Sequence, residues 1–146
     1  MKSICIPHTE LPGTSALFAD YLYRFDRVSR FYEHDPHDPD ALRRAALAAQ
    51  VPDDRRLKLV AALRKSNGET ASLAQLELPD TLAIVTGQQV GLFSGPAYTI
   101  YKALSAVKLA RQLTESGMRA VPVFWLATED HDFAEIQHSW VFDTRQ

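Results

Sequence analysis

Cysteine is nearly missing from this chain. Cys5 is the one thiol in 146 residues. An intrachain disulfide framework is therefore excluded, and a reducing, cytoplasmic setting is expected. Cys5 lies in the apolar triplet Ile4-Cys5-Ile6 and is expected to pack as a small core hydrophobe rather than to react. Long apolar runs are missing too. None approaches the ~20 residues that span a bilayer, so no membrane partner is expected. The opening stretch "MKSICIPHTELPGTS" has one lysine and no long apolar core, unlike a secretory signal. There is no surplus of either charge: 16 Lys and Arg stand against 18 Asp and Glu. That balance gives no footing for nucleic acid as a general partner. Internal repeats and low-complexity tracts are absent.

What is present is ordinary globular composition, 46% apolar and 23% charged, in a chain long enough for one core. The final residues "HSWVFDTRQ" read as an element just beginning, so the chain is expected to be the front part of a longer protein.

Residues 1–13 read as a short strand and a loop. A helix follows in "TSALFADYLYRF", with Thr14 or Ser15 as its cap and Leu17, Tyr21 and Leu22 on one face. Two Asp-Pro pairs make "RFYEHDPHDPD" a loop. Its His34 and His37, beside Asp35 and Asp38, are expected at the surface. Asp40 is placed to cap a helix over "ALRRAALAAQ". Pro52 suits the first turn of "PDDRRLKLVAALRKS", whose Asp53 and Asp54 complement the helix dipole. Asn67-Gly68 is a C-cap. Residues 69–77 form one more short helix.

The second half changes character. A strand is expected over 82–86, then a polar loop with glycines at 87, 91 and 95, then a helix from Pro96. Ile100, Leu104, Val107 and Ala110 mark the expected buried face of that helix. "AVPVFWLA", 120–127, is a second strand, apolar on both faces as parallel strands are. Strand, loop, helix, strand is most simply a βαβ crossover. The expected class is therefore α/β, a partial parallel sheet over 81–146 with a largely helical region over 1–80. Parallel strands would deliver the glycine loop and "TEDHD" to one sheet edge, where ligands of open α/β sheets bind.

The glycine loop is neither a Walker A sequence nor GxGxxG. Its ingredients still suit an anion: a helix N-terminus, glycines that let backbone approach, neutral donors from Gln88, Gln89 and Ser94, and Lys102 in the second turn with Tyr98 at i−4. The alternative is an elaborate turn. "EDHD", Glu129 to Asp132, has three functional readings and a bland one. The functional ones are acid–base chemistry at His131, metal ligation, and carboxylates that accept hydrogen bonds. The bland one is a helix cap from Asp130 or Asp132. His131, Glu135 and His138 share a helical face, but no metal site is assigned.

"VTGQQVGLFSGPAYTIYKALSAVKLA", then "VPVFWLATEDHDFAEIQH", closely resembles the bacillithiol biosynthesis cysteine-adding enzyme family. "YLYRFDRVSRFYEHDPHDP" is similar to the same family's N-terminal segment. The resemblance implies a Rossmann-like core related to nucleotidyl transferases. It implies a ligase that joins the carboxyl of cysteine to the amine of glucosaminyl-malate, and a homodimer built through a coiled coil further along a longer chain. It implies ATP as cosubstrate, with Mg²⁺ as the accompanying ion. Under it, Gly87, Gln88, Gln89, Gly91, Ser94, Gly95, Tyr98 and Lys102 would bind the nucleotide, with Lys102 stabilising charge on phosphate. Asp130 or Glu129 would hold the substrate ammonium or sugar hydroxyls, Asp132 would line the facing side, and His131 would shuttle the amine proton. The helix entrance "SGPAYTIYK" has no histidine where class I synthetases carry His-x-Gly-His. Two other readings stand beside the ligase: a nicotinamide-dependent oxidoreductase, and a non-catalytic nucleotide-binding fragment.

Overall fold

The computed structural model describes residues 4–49, 51–129, 133–138 and 143. It divides into two compact units, Met1–Ala49 and Gln50–Gln146.

In the first unit, helix α1 spans Ala16–Tyr23 and starts where Ser15 Oγ accepts the Phe18 amide at 3.2 Å. Its buried residue is Ala19, while Tyr21 and Leu22 are half-buried and Leu17 is exposed. Tyr21, Phe25 and Tyr32 stack into an aromatic cluster with centroids 4.8–6.0 Å apart. Among the described residues the expected N-terminal strand is not found: residues 4–7 are irregular, and a 3-10 turn follows at His8–Glu10. Pro7 directly follows the apolar triplet, and the unit has no strand among its described residues for that triplet to pair with. Ile4, Cys5 and Ile6 are exposed, which corrects the expectation of a core cysteine.

Helix α2, Pro39–Ala48, is capped by Asp38 rather than Asp40. The reason is Pro39. A proline holds its predecessor extended and is well placed at N1. Asp38 therefore takes the cap position (φ −82°, ψ 116°) and its Oδ1 accepts the Asp40 amide at 2.9 Å.

In the second unit, α3 spans Asp53–Asn67 and ends at Gly68, whose φ of +68° favours glycine. Thr70 caps α4, Ala71–Glu77, through a bond from the Leu73 amide. Strand β1 is Leu82–Gln89, helix α5 Ala97–Glu115, strand β2 Ala120–Ala127 and helix α6 Phe133–Ile136. β1 and β2 are parallel, in register from Leu82↔Ala120 to Gln89↔Ala127. Side chains alternate between faces, so two cores form. Val121 and Val123 pack with Val60, Leu73 and Leu76 of α3 and α4. Ala120, Leu82 and Ile84 pack with Ala110 and Leu113 of α5. Buried Arg56 ties the first core together: its Nη1 donates to the carbonyls of Leu76 at 3.1 Å and Thr81 at 2.8 Å.

Two expectations need correction. β1 runs three residues past 86, through Gly87, Gln88 and Gln89, because pairing with Trp125, Leu126 and Ala127 extends it. Of the expected face of α5, Ala110 is buried as expected, together with Ala106 and Leu113. Ile100, Leu104 and Val107 are exposed, one step round the helix. No helix among the described residues is long and apolar enough to cross a membrane.

Candidate functional site

Because β1 and β2 are parallel and end in register at Gln89 and Ala127, the glycine loop and the turn at Thr128-Glu129 leave the sheet at one edge. The three glycines have different jobs. Gly87 lies inside β1, where a Cβ would stand 2.6 Å from the carbonyl oxygen of Trp125. Its role is close strand packing. Gly91 and Gly95 close the loop backbone to backbone: a Cβ on Gly91 would lie 3.0 Å from Gly95 Cα. Between them is the 3-10 turn Leu92–Ser94, with Phe93 (φ 53°) and Ser94 (φ 72°) both left-handed, followed by Gly95 at φ 72°. Two consecutive non-glycine residues in that region store strain, a feature concentrated at functional sites. The loop delivers the chain to Pro96, the cap of the 19-residue α5.

The start of α5 has a polar flank and an apolar flank. On the polar flank, Lys102 Nζ donates to Gln88 Oε1 at 2.9 Å. Gln88 Nε2 donates to Gln89 Oε1 at 2.7 Å and lies 3.5 Å from the Tyr98 hydroxyl. The Lys102 ammonium stands 5.5 Å from the Tyr98 ring centroid, within cation–π range. Gln88 is thus a joint that holds the lysine rather than a spare donor. On the apolar flank is a cavity of about 380 Å³. Gln89, Val90, Gly91 and Ser94 wall it on the loop side, and Ile100, Leu104, Phe124 and Leu126 on the helix and strand side. Thr99 Oγ1, also at its wall, is buried without a hydrogen-bond partner.

In the first turn of α5 the Thr99 amide donates to the Pro96 carbonyl at 2.9 Å, the Ala97 and Tyr98 amides have no acceptor within the helix, and the turn carries no acidic residue. Together with Lys102 those two amides give a positive pole suited to a phosphate or carboxylate. These residues fit the phosphates of a nucleotide. Of the "EDHD" residues, Glu129 is exposed at the shared edge. Asp130, His131 and Asp132 lie outside the described residues, as does the Glu135 side chain. His34 and His37 belong to the first unit, where Asp35 Oδ1 accepts the His37 amide at 2.8 Å in an Asx turn.

Residues 1–146 match the family model described as bacillithiol biosynthesis BshC, N-terminal Rossmann-like domain. The chain belongs to the BshC family. Its relatives include a protein of Solibacter usitatus named "Putative cysteine ligase BshC", 54% identical over 144 residues, which are 99% of this chain and 28% of that protein. Proteins of the same name from Koribacter versatilis and Salinibacter ruber are 39% and 42% identical, over 92% and 89% of this chain and 26% and 25% of theirs. The chain thus spans about a quarter of the length of the curated relatives it matches. The family description agrees with the parallel βαβ unit, so the α/β, Rossmann-like class holds.

Several wall residues of this BshC-family site escaped the sequence reading. Ile100 and Leu104 were visible as an apolar row but assigned to the core. Phe124 and Leu126 were read as plain strand. Nothing in the sequence marks Thr99.

Proposed function

We propose that this chain supplies the glycine-loop half of a ligase active site that joins the cysteine carboxyl to the amine of glucosaminyl-malate. The chemistry is nucleotidyl-transferase-like: bound ATP, accompanied by Mg²⁺, would supply the electrophilic phosphorus that converts the carboxylate into an activated acyl group, with pyrophosphate departing at that step and the nucleotide monophosphate departing when the amide forms. The Ala97 and Tyr98 amides of α5, Ser94 and the Lys102 ammonium hold negative charge as it builds on phosphate. Gln88 and Tyr98 keep Lys102 aimed, and Gly91 and Gly95 let the loop backbone approach. From the facing side, Glu129 or Asp130 holds the substrate ammonium or hydroxyls, beside Asp132. His131 takes the proton released when the amine attacks the acyl carbon. The full-length protein works in the cytoplasm as a homodimer through a coiled coil.

The observation that carries this reading is the Lys102–Gln88 pair beside the acid-free N-terminus of a 19-residue helix, at the shared edge of two parallel strands. The relatives' name favours a ligase over the oxidoreductase reading. The test uses full-length protein in cells, with Lys102→Met and His131→Ala made separately. Bacillithiol content should fall on the order of 100-fold for Lys102→Met, the scale of losing one transition-state donor. Normal thiol content in both variants would overturn the assignment.

A further inference from the structure

The face of the sheet opposite α5 carries a cavity that the proposed phosphate chemistry does not use. Helix α3 climbs this face in the strand direction. Arg56 reaches the Thr81 carbonyl just ahead of β1. Val60 then packs with Val121, and Leu63 and Val123 border the same cluster. One turn further on, Ser66 and Asn67 arrive at the level of Trp125. Thr70 and Ser72 follow where α4 starts. Between these residues and the carboxyl half of β2 lies a cavity of about 470 Å³, within the roughly 300–1,000 Å³ range of small-molecule sites.

Its lining has a definite chemistry. Val121 and Val123 pack toward α3 and α4, so alternation puts the Trp125 side chain on the same face. Trp125 walls the cavity and is 54% exposed. The polar wall is made by Ser66, Asn67, Thr70, Ser72 and Thr128. Among the described residues no charged side chain lines it. Each of the five polar side chains can both donate and accept. Two are partly engaged. Asn67 Nδ2 donates to the Leu63 carbonyl at 2.9 Å, which leaves Oδ1 to accept. Thr70 Oγ1 accepts the Leu73 amide at 3.1 Å, which leaves its hydroxyl hydrogen to donate. An anionic ligand calls for positive charge, which this lining lacks. A neutral ring bearing several hydroxyls matches it. Sugar hydroxyls also donate and accept, and the C–H face of the ring is apolar, as a tryptophan ring is.

We infer that this cavity is a subsite for a hexose ring and that it takes the glucosamine half of the amine substrate. The identity of that sugar rests on the ligase reading above. Trp125 covers the apolar face of the ring, and Ser66 and Ser72 bond its hydroxyls. Thr128 carries the cavity to the shared sheet edge, next to Glu129. A ring seated there lies beside the edge at which the glycine loop also ends, on the side where its amine meets the activated acyl group. The malate carboxylates stay outside the uncharged lining.

The test is calorimetric titration of the full-length protein with glucosaminyl-malate as the probe. Ser66→Ala and Ser72→Ala, combined, change two exposed positions and should keep the parental urea midpoint. Affinity should fall on the order of tenfold, the scale of two neutral hydrogen bonds. Trp125→Leu should weaken binding by about as much, and Trp125→Phe, which keeps an aromatic face, should stay within about threefold of the parent. Parental affinity in the serine variant and in Trp125→Leu would overturn the subsite. So would a loss confined to Trp125→Leu that Trp125→Phe does not restore, because that pattern marks a structural role. These outcomes leave the ligase reading standing. Normal thiol content in Lys102→Met and His131→Ala would sink that reading and leave the subsite in place. Failure of the parent to bind the probe would sink both.

Discussion

Gly87 and Trp125 sit opposite one another in the parallel ladder, so close that a Cβ on Gly87 would come within 2.6 Å of the Trp125 carbonyl oxygen and 2.9 Å of its Cβ. The first of these contacts is with backbone, which cannot swing aside. The glycine therefore serves the last stretch of β1 before the loop, where Gln88 and Gln89 still pair with Leu126 and Ala127.

Gly87→Ala forces the strands apart at this pair. The expected loss is about 1–3 kcal/mol, the scale of overpacking. A lowered urea midpoint at constant slope is the readout. Val85→Ala, two residues earlier on an exposed position, serves as control and should cost much less. Equal midpoints for Gly87→Ala and the parent would remove the packing role.

Arg56 is buried to 6% exposure and donates to two main-chain carbonyls, Leu76 at the end of α4 and Thr81 at the approach to β1. Arg56→Met fills much of the volume but leaves both carbonyls without that donor. A loss of about 2–4 kcal/mol is expected from two unsatisfied buried acceptors. Arg56→Lys should fall between, since an ammonium keeps the charge and the donors but not the position of Nη1, from which both bonds are made. Parental stability in Arg56→Met, by chemical denaturation, would show that the carbonyls find other donors.

Asp38 caps α2 in the first unit. The Arg44 guanidinium hydrogen-bonded to its carboxylate, helped by the Asp40 amide, holds its pKa below the ordinary aspartate value, with slight burial opposing. A depressed folded-state pKa stabilises above the unfolded value of about 3.9. That contribution is lost as pH falls through the lower folded value. The Asp38 carboxyl, followed by NMR, should titrate below about pH 3.9. Asp38→Asn keeps the cap but should flatten the acid loss of α2 below about pH 4. The pair is exposed to solvent, so the effect should shrink in high salt. A normal midpoint for Asp38 would contradict the cap geometry.

Where a local rule acts alone, sequence and structure agree. Ser15 caps α1 by the bond its hydroxyl can make, and Gly68 ends α3 because only glycine adopts its φ cheaply. The continuous apolar run of 120–127 is the strand observed at Ala120–Ala127. Asp40 failed as a cap through an overlooked local rule: the proline at 39 hands the cap to the residue before it. Cys5 failed because an apolar triplet says nothing about whether a partner surface exists. At the candidate site, the glycines, glutamines and lysine were legible as a group. Their division of labour was not.

The amino-acid sequence by itself determined the order of the main helices and strands from α1 onward, most of their ends, and the meeting of the glycine loop with the residues after β2 at one sheet edge. These follow from backbone sterics, capping bonds and the period of apolar residues, all of which act within a few positions along the chain. Only the tertiary structure decided that β1 continues through Gln89, that α5 buries Ala106 and Leu113 beside the expected Ala110 while Ile100 and Leu104 stay exposed, and that Gln88 holds Lys102. Each of those depends on which atoms of a distant segment come within bonding or contact distance. The spacing of residues along a chain does not contain that information.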